Sequence, residues 1–548
     1  MAPYLKASYD FVIVGAGSAG CVLANRLSAD GDKQVLLLEA GPTDKSPMLS
    51  TPGFFTTAYR QPGKFGWVYQ TAPQQHVDKR VMRDIRGKTL GGSSSMNGML
   101  YCRGAAADYD GWAAGNDGSP GWGYREILPY FKRLEDYEDG ESTYHGAGGP
   151  LYVGRSKLSH PLARAFVEAA QEAGHPYSED INGAQREGFG PSHFTIKKGR
   201  RWSAAVGYLR PALKRPNLTV ITGALATRIM LDKGRATGIE FLQNNRKQGV
   251  SAGEVILSGG AFQSPHLLMV SGIGAGDPLK KIGVSPRIDL PGVGKNLHDH
   301  GSITAQADCT APITYARLND PFFLGKELAR YVFQREGVMA ECTIEAVGMF
   351  KGMAASVIPD IKCQFVPIRL DLKTGLPLPQ HGMINRMELT EPDSRGELRL
   401  ASADPLAAPI IDVNYLAAER DVVRLRNAMR TAMEIFRQPA FTEFGVTPVE
   451  PVDFDKDQTL DAYIRQTLTN DHHAAGTCAM GNGPDAVVDP QLRVHGVAGL
   501  RVVDCSIMPK VVSGNTNAPT MMIAEKASDM ILGKTPLPAA DLDMKGAA

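Results

Sequence analysis

The sequence predicts an α/β protein, and three observations carry that expectation. An apolar run, Phe11 to Val14, leads through a glycine-rich turn into a helix-like stretch (FVIVGAGSAGCVLANRL). A second apolar run, QVLLLEAG, follows one helix later. Further along, GEVILSGGAFQSPHLLMVSG again reads as strand, tight glycine turn and helix. Strands alternating with helices in this way build a parallel sheet covered on both faces.

The first unit has the order that a dinucleotide site needs. In Gly15-x-Gly17-x-x-Gly20 the first glycine makes the tight turn and the second lets the backbone approach a pyrophosphate; the third packs the helix onto the strand. Ser18 and Ala19 complete the loop, and the phosphates then meet the helix N-terminus, where unpaired N–H groups favour negative charge. Glu39 ends the second strand about 20 residues beyond Gly20, placed to accept a hydrogen bond from a ribose 2′-hydroxyl. The unit is therefore read as Rossmann-like.

A second loop, RGKTLGGSSSMNGMLYCRG from Arg86, separates the candidate dinucleotides. Gly91-Gly92 followed by Ser93, Ser94 and Ser95 exposes backbone and small donors again, ahead of a helix expected at Asn97. A nicotinamide dinucleotide rarely needs this second cradle, whereas an extended FAD does.

In the middle of the chain, LTVITGALATRIMLDKGRATGIEFL reads as short strands with a turn at Lys233-Gly234. The next helix is expected to start at Ser264-Pro265. From about 308 to 469, strand-like runs (IKCQFVPI, GELRLAS) mix with one long amphipathic stretch, AAERDVVRLRNAMRTAMEIFRQPA, which Pro439 closes. YFKRLEDYEDGE has the charge pattern of a solvated helix face.

Composition bounds the function. With 548 residues, 43% hydrophobic and 21% charged, the chain can hold two to four domains, or two large intertwined ones. Lys+Arg at 59 against Asp+Glu at 58 gives no footprint for nucleic acid or an anionic membrane. Seven scattered cysteines without a C-x-x-C pair argue against a disulfide framework or zinc site and suit a reducing compartment. No targeting segment or membrane-length apolar run is read, so a cytoplasmic location is expected.

Near the C-terminus, NDHHAAGTCAMGNG places His472 beside His473. Neighbours in an extended stretch face opposite ways, so both address one substrate only if the backbone bends. A metal site from Asp471, His472, His473 and His495 is disfavoured for the same reason. Cys478 lacks a basic neighbour and is read as inert, as is Cys505.

Five blocks resemble the glucose–methanol–choline (GMC) flavoprotein oxidoreductases, in that family's order. They are VGAGSAG with LLLEAG, GKTLGGSSSMNGMLYCRG, GGAFQSPHLLMVSGIG, HAAGTCAMG, and LRVVDCSIMPKVVSGNTNAPTMMIAEKASDMI. Weaker similarity, as in LPGVGKNLHDH, fills the gaps, and the branch most alike is the bacterial choline-dehydrogenase-like alcohol oxidisers. The resemblance implies an FAD-binding domain assembled from 1–155, 205–307 and 470–548. A substrate domain, 156–204 with 308–469, would roof the flavin with an antiparallel sheet.

It also implies roles. His473, three positions before Gly476-Thr477-Cys478, is the base that takes an alcohol proton, and Asn515 holds the substrate oxygen. FAD contacts are implied for Gly15, Gly17, Ser18, Ala19, Gly20, Glu39, Ala40, Trp67, Arg86, Gly91, Gly92, Ser94, Leu225, Gly259, Asp504, Cys505, Thr516 and Asn517. The Asn97-Gly98-Met99 turn would offer N–H groups to the flavin's reactive edge. Where some relatives attach FAD through a histidine, this chain has Met96, so FAD is expected to be non-covalent. Weaker expectations put His472, Glu345, Phe365, Val366 and His381 at the substrate pocket. The activity implied is oxidation of a primary alcohol to an aldehyde, with electrons passed to a quinone, another carrier or oxygen. A hydroxynitrile lyase with structural FAD is the alternative. Nucleic acid and metal are not expected as partners, and membrane contact is expected to be peripheral at most.

Overall fold

The computed structural model describes residues 5–115, 117–372 and 374–542. Its first sheet runs, in spatial order, Leu218–Thr222, Val35–Glu39, Ser8–Val14, Arg246–Leu257, Arg235–Gln243 and Ala224–Asp232. The first four are mutually parallel, and the last two fold back antiparallel. Leu500–Val502 adds in parallel to the C-terminal half of Arg246–Leu257. Segments far apart in sequence thus meet in one sheet. The reason is visible in the strands: Val12, Ile13, Val35 to Leu37, Val255 and Ile256 are fully buried. A side chain of that kind gains about 1.5–3 kcal/mol on burial, so strands apolar on both faces go to the middle.

Lys233 and Gly234 both take positive φ (44° and 77°), the two-residue turn whose twist suits a hairpin. The amphipathic stretch forms the helix Glu419–Phe436, and Pro439 opens the next short turn.

Two sequence expectations are corrected. No helix starts at Asn97: residues 92–95 form one 3-10 turn, and Asn97 Oδ1 then accepts from the Met99 N–H at 3.1 Å, competing with helix formation. The helix expected from Ser264-Pro265 begins earlier and spans Gly260–Val270. Ser264 Oγ instead accepts from the Gly259 N–H (3.0 Å). Pro265 cannot donate to the Ala261 carbonyl, and the Thr477 hydroxyl takes that place at 2.7 Å.

The second sheet is antiparallel throughout. Its order is Val446–Val449, Gly301–Cys309, Gly382–Leu389, Ile361–Val366, Ala346–Phe350 and Gly188–Pro191, with Thr469–Asn470 pairing beside Gly301–Cys309. Gly301–Cys309 straddles the 307/308 boundary drawn from sequence and hydrogen-bonds into this sheet. The helix Glu419–Phe436 packs on Gly301–Cys309 and Gly382–Leu389. Thr469–Asn470 leads directly to the paired histidines, which brings the sheet and the C-terminal block together.

Candidate active site

The dinucleotide cradle is built from both ends of the chain. Gly15 has φ +100°, and a Cβ there would lie 2.6 Å from the Ser258 carbonyl oxygen; a Cβ on Gly20 would collide with the Gly15 carbonyl. Both glycines are required by packing within the turn. Gly17 differs: its Cβ would meet only Ser258 O, at 3.9 Å, so its open side faces a space that a ligand can enter. The second loop closes over it. The Gly91 N–H donates to Ala16 O (2.7 Å), and a Cβ on Gly92 (φ +52°) would stand 2.7 Å from Gly17 Cα.

The helices Ser18–Leu27 and Asn517–Ile531 pack together with N-termini that no side chain caps, and Ser18 Oγ donates to Asn517 Oδ1 at 2.7 Å. Two uncapped N-termini at one glycine loop make an anion cradle fitted to a pyrophosphate. Glu39 accepts from the N–H groups of Ala16 (2.9 Å) and Gly41 (2.8 Å), and burial pushes its carboxyl up to about 7. These residues fit FAD.

The remaining expected cofactor residues divide into groups. Asn97 Oδ1 and its carbonyl both accept from Arg201 (2.8 and 2.6 Å), and Met99 holds φ +63°, so the Asn97–Met99 turn is rigidly presented. The Ser94 hydroxyl donates to Gly91 O and accepts from the Ala204 N–H, so it braces its own loop. Asp504 receives the Gly260 N–H (2.8 Å) and Ser264 Oγ (2.6 Å), tying the Gly259 turn to the C-terminal block. Arg86 donates to His472 O (2.6 Å) and pairs with Asp84 (2.9 Å). Trp67 lies under the Lys88 ammonium, 4.0 Å from ring centroid to Nζ. Ala40 and Leu225 are partly exposed at strand ends, while Cys505 Sγ approaches Ala474 O and Thr516 precedes the last helix. Met96 is buried with Leu49, Ala58 and Ile85.

The backbone does bend at the histidine pair: His472 has φ +60°. The two rings nevertheless have separate partners. His472 binds the Tyr59 hydroxyl through Nε2 and Asp84 through Nδ1 (3.3 Å). His473 takes Asn515 Nδ2 at Nε2 (3.1 Å) and Glu388 Oε1 at Nδ1 (3.1 Å), while its N–H donates to Asp299 at 2.6 Å.

Behind His473 lies a network that sequence reasoning missed. Glu388 Oε1 also serves His300 Nδ1 (2.6 Å); Oε2 receives Lys362 Nζ (2.5 Å) and Gln364 Nε2 (3.0 Å). Lys362 Nζ continues to Asn515 Oδ1 at 3.1 Å. A carboxylate only accepts, so it selects Nδ1–H on His473 and leaves the Nε2 lone pair toward Asn515. Lys362 only donates, so Asn515 must turn Oδ1 to it and Nδ2 to His473. Each orientation is fixed by charge. Burial lowers His473 to about 3 despite Glu388, which leaves the ring neutral at physiological pH. Burial alone would raise Glu388, but Lys362, His473 and His300 outweigh it and hold the carboxyl well below its usual range.

His300, Glu388 and His473 bring potential metal-ligand atoms within 4.8 Å of one another. The Lys362 ammonium already supplies the counter-charge there. The missed residues did carry a signal: in IKCQFV the polar Lys362 and Gln364 alternate with buried Ile361, Cys363 and Phe365. That period marks one polar face of a strand.

The same alternation corrects the expectation for Phe365. Phe365 points to the other face, stacked on Phe166 with centroids 4.6 Å apart, and belongs to the core. Val366 shares the face of Lys362 and Gln364 and packs against an apolar cluster around Cys102 and Ile344. Glu345 is spent on the His160 N–H (3.0 Å), and His381 Nδ1 meets Thr314 Oγ1 (2.8 Å). None of these four contacts His473 or Asn515 in the hydrogen bonds described.

Comparison with known proteins agrees with this architecture. Family models described as GMC oxidoreductase match residues 9–302 and 392–524. The chain is 44% identical over 545 residues to a human protein named choline dehydrogenase, mitochondrial, covering 96% of this chain and 90% of that one. It is 42% identical to an oxygen-dependent choline dehydrogenase of Brucella anthropi, covering 97% of each. Among solved structures, pyridoxine 4-oxidase from Mesorbium loti superposes with a TM-score of 0.87 at 32% identity, over 96% of this chain and 99% of that one. A formate oxidase gives 0.89 at 26%, over 97% and 99%. The chain belongs to the GMC oxidoreductase family and is an FAD-dependent flavoprotein.

Proposed function

We propose that the protein oxidises a primary alcohol to the aldehyde, with His473 as base and Asn515 as the donor that holds the substrate oxygen. The observation that carries this is the pairing of Asn515 with His473, Nδ2 donating to Nε2 at 3.1 Å, with Glu388 and Lys362 fixing both from behind. An alcohol oxygen that displaces this hydrogen bond gives its proton to Nε2 and accepts from Nδ2 as alkoxide character develops. Bound FAD supplies the hydride acceptor. A neutral imidazole is needed before the reaction, and the burial that depresses His473 maintains it. Positive charge then forming on the ring is stabilised by Glu388 at Nδ1.

The names of the relatives make choline the first alcohol to test. On this reading the electrons pass to a quinone or another carrier, or to oxygen. The FAD is non-covalent, since a thioether at Met96 offers no nitrogen for attachment. The test is an anaerobic screen of quaternary-ammonium, aliphatic and aromatic alcohols by flavin absorbance. It is then repeated with oxygen and with a soluble dye acceptor. Rapid bleaching by a primary alcohol, with aldehyde formed in equal amount, supports the proposal; a flavin that stays oxidised with every alcohol opposes it.

A further inference from the structure

The near-zero net charge of the chain hides a local excess of cations. A cleft of about 520 Å³, a volume that suits a cofactor-sized molecule, is lined by Lys197, Lys198, Arg200, Arg201, Arg210 and Arg335. Asp44 is the only acid in that lining, and Arg210 takes it at 2.7 Å. Lys197 is paired with Asp136 (2.9 Å). The other four cations, Lys198, Arg200, Arg201 and Arg335, have no carboxylate partner among the described residues.

The backbone places these charges. Ile196–Lys197 pairs with Arg200–Arg201 in a tight hairpin whose tip, Lys198 and Gly199, takes positive φ (50° and 66°). A Cβ on Gly199 would lie 2.5 Å from the Arg335 carbonyl oxygen, so the tip is seated on the end of the helix Pro321–Gln334. Segments far apart in sequence thus bring like charges to one cavity, where they repel each other unless an anion lies between them.

Arg201 carries the clearest sign of a missing partner. It is 4% exposed, and Nε and Nη1 donate to the carbonyls of Leu49 (2.7 Å) and Asn97 (2.6 Å), yet Nη2 has no hydrogen-bond partner. Burial pushes its guanidinium down to about 9. Buried charges are ordinarily paired and fully hydrogen-bonded, and this one is neither. Gly15, Gly17, Ser18 and Asn517, which build the FAD cradle, are not in the lining, so the cleft is a separate cavity. Ser95 and Arg201 set it directly behind the glycine–serine loop and the Asn97–Met99 turn.

We propose that this cleft is a second anion site, which takes a soluble molecule carrying a di- or triphosphate. Lys198, Arg200 and Arg335 contact the phosphoryl oxygens, and Arg201 balances the charge at the wall. Guanidinium forks match phosphoryl oxygens two at a time. Four unpaired cations suit the several charges of such a group better than the roughly two of a single phosphate. The inference is independent of the reaction proposed above and is tested without turnover.

The experiment is isothermal titration calorimetry of the FAD-loaded protein with inorganic tripolyphosphate. Orthophosphate is run alongside, in metal-free buffers brought to one ionic strength with sodium chloride. The loaded protein has its cradle filled, so the heat reports a different site. One tripolyphosphate per chain is expected, with orthophosphate weaker by about tenfold or more. Lys198→Gln, Arg200→Gln and Arg335→Gln should each weaken binding by about two- to fivefold, and the three together should abolish it with flavin content unchanged. Asp44→Asn acts in the opposite direction. It frees Arg210 and should tighten binding by a similar factor, a result that misfolding does not imitate. The proposal is overturned if tripolyphosphate gives no heat beyond that of matched chloride, or if the triple variant binds like wild type. It is likewise overturned if Asp44→Asn binds more weakly, or if orthophosphate binds equally well, which would mark an adventitious ion only.

Discussion

Glu388→Gln perturbs the carboxylate behind His473 while keeping its shape. In the wild type one oxygen serves the Nδ1 atoms of His473 (3.1 Å) and His300 (2.6 Å), and the other takes Lys362 (2.5 Å) and Gln364 (3.0 Å). An amide keeps one acceptor and substitutes a donor for the other. It therefore either abandons the histidines or turns an NH₂ toward an ammonium. Lys362 is 1% exposed, and removing the partner of a buried ion costs roughly 3–5 kcal/mol. Misdirection of the imidazole forfeits most of a general base's contribution, so flavin reduction should slow by about 10²–10⁴-fold. The pH response has a definite sign. Burial depresses His473 and Glu388 opposes it, so loss of the charge depresses the ring further and moves the acid limb of kcat/KM to lower pH. Anaerobic stopped-flow measures the rate and urea unfolding the stability. Glu388→Gln combined with Lys362→Met should recover most of the stability and none of the rate, which separates orientation from folding. A Glu388→Gln protein with full flavin that is reduced within about twofold of the wild-type rate would refute the reasoning.

Other outcomes follow from the same geometry. Gly17→Ala should fold normally but lose FAD affinity, because its Cβ enters open space; Gly20→Ala should lose both, because its Cβ strikes the Gly15 carbonyl; thermal melts of the apoprotein and flavin titration distinguish them. Denaturation should release yellow flavin into the supernatant, and flavin that stays on the precipitate would contradict the Met96 argument. His472→Ala, which loses contacts to Tyr59 and Asp84 but none to Asn515, should reduce the rate by about tenfold at most, far less than loss of the base.

Much of the cofactor unit was legible in the sequence because its constraints are local. Gly15, Gly17 and Gly20 sit within one turn, each with a distinct steric reason, and apolar runs such as Phe11 to Val14 can only be central strands. The proposed base and its partner, His473 and Asn515, are singled out only by the motif blocks that contain them. Their support is not legible there. Lys362, Glu388 and His300 come from three different strands or loops, and nothing local to IKCQFV or GMINRMEL states that they converge. Register between Ile361–Val366 and Gly382–Leu389 pairs Lys362 with Glu388, and register is a property of the assembled sheet. Phe365 was misplaced for the same reason, since it is one residue out of phase with the reactive face. The helix beginning at Gly260 was misjudged because the carbonyl freed by Pro265 finds its donor in Thr477, far away in sequence.

The most direct measurement of the central claim is the single-turnover rate of flavin reduction by a primary alcohol in His473→Ala against wild type, both fully loaded and without oxygen. A fall of about 10²–10⁴-fold, with FAD binding unchanged, is the predicted result. Equal rates in the two proteins would remove His473 from the chemistry and contradict the account.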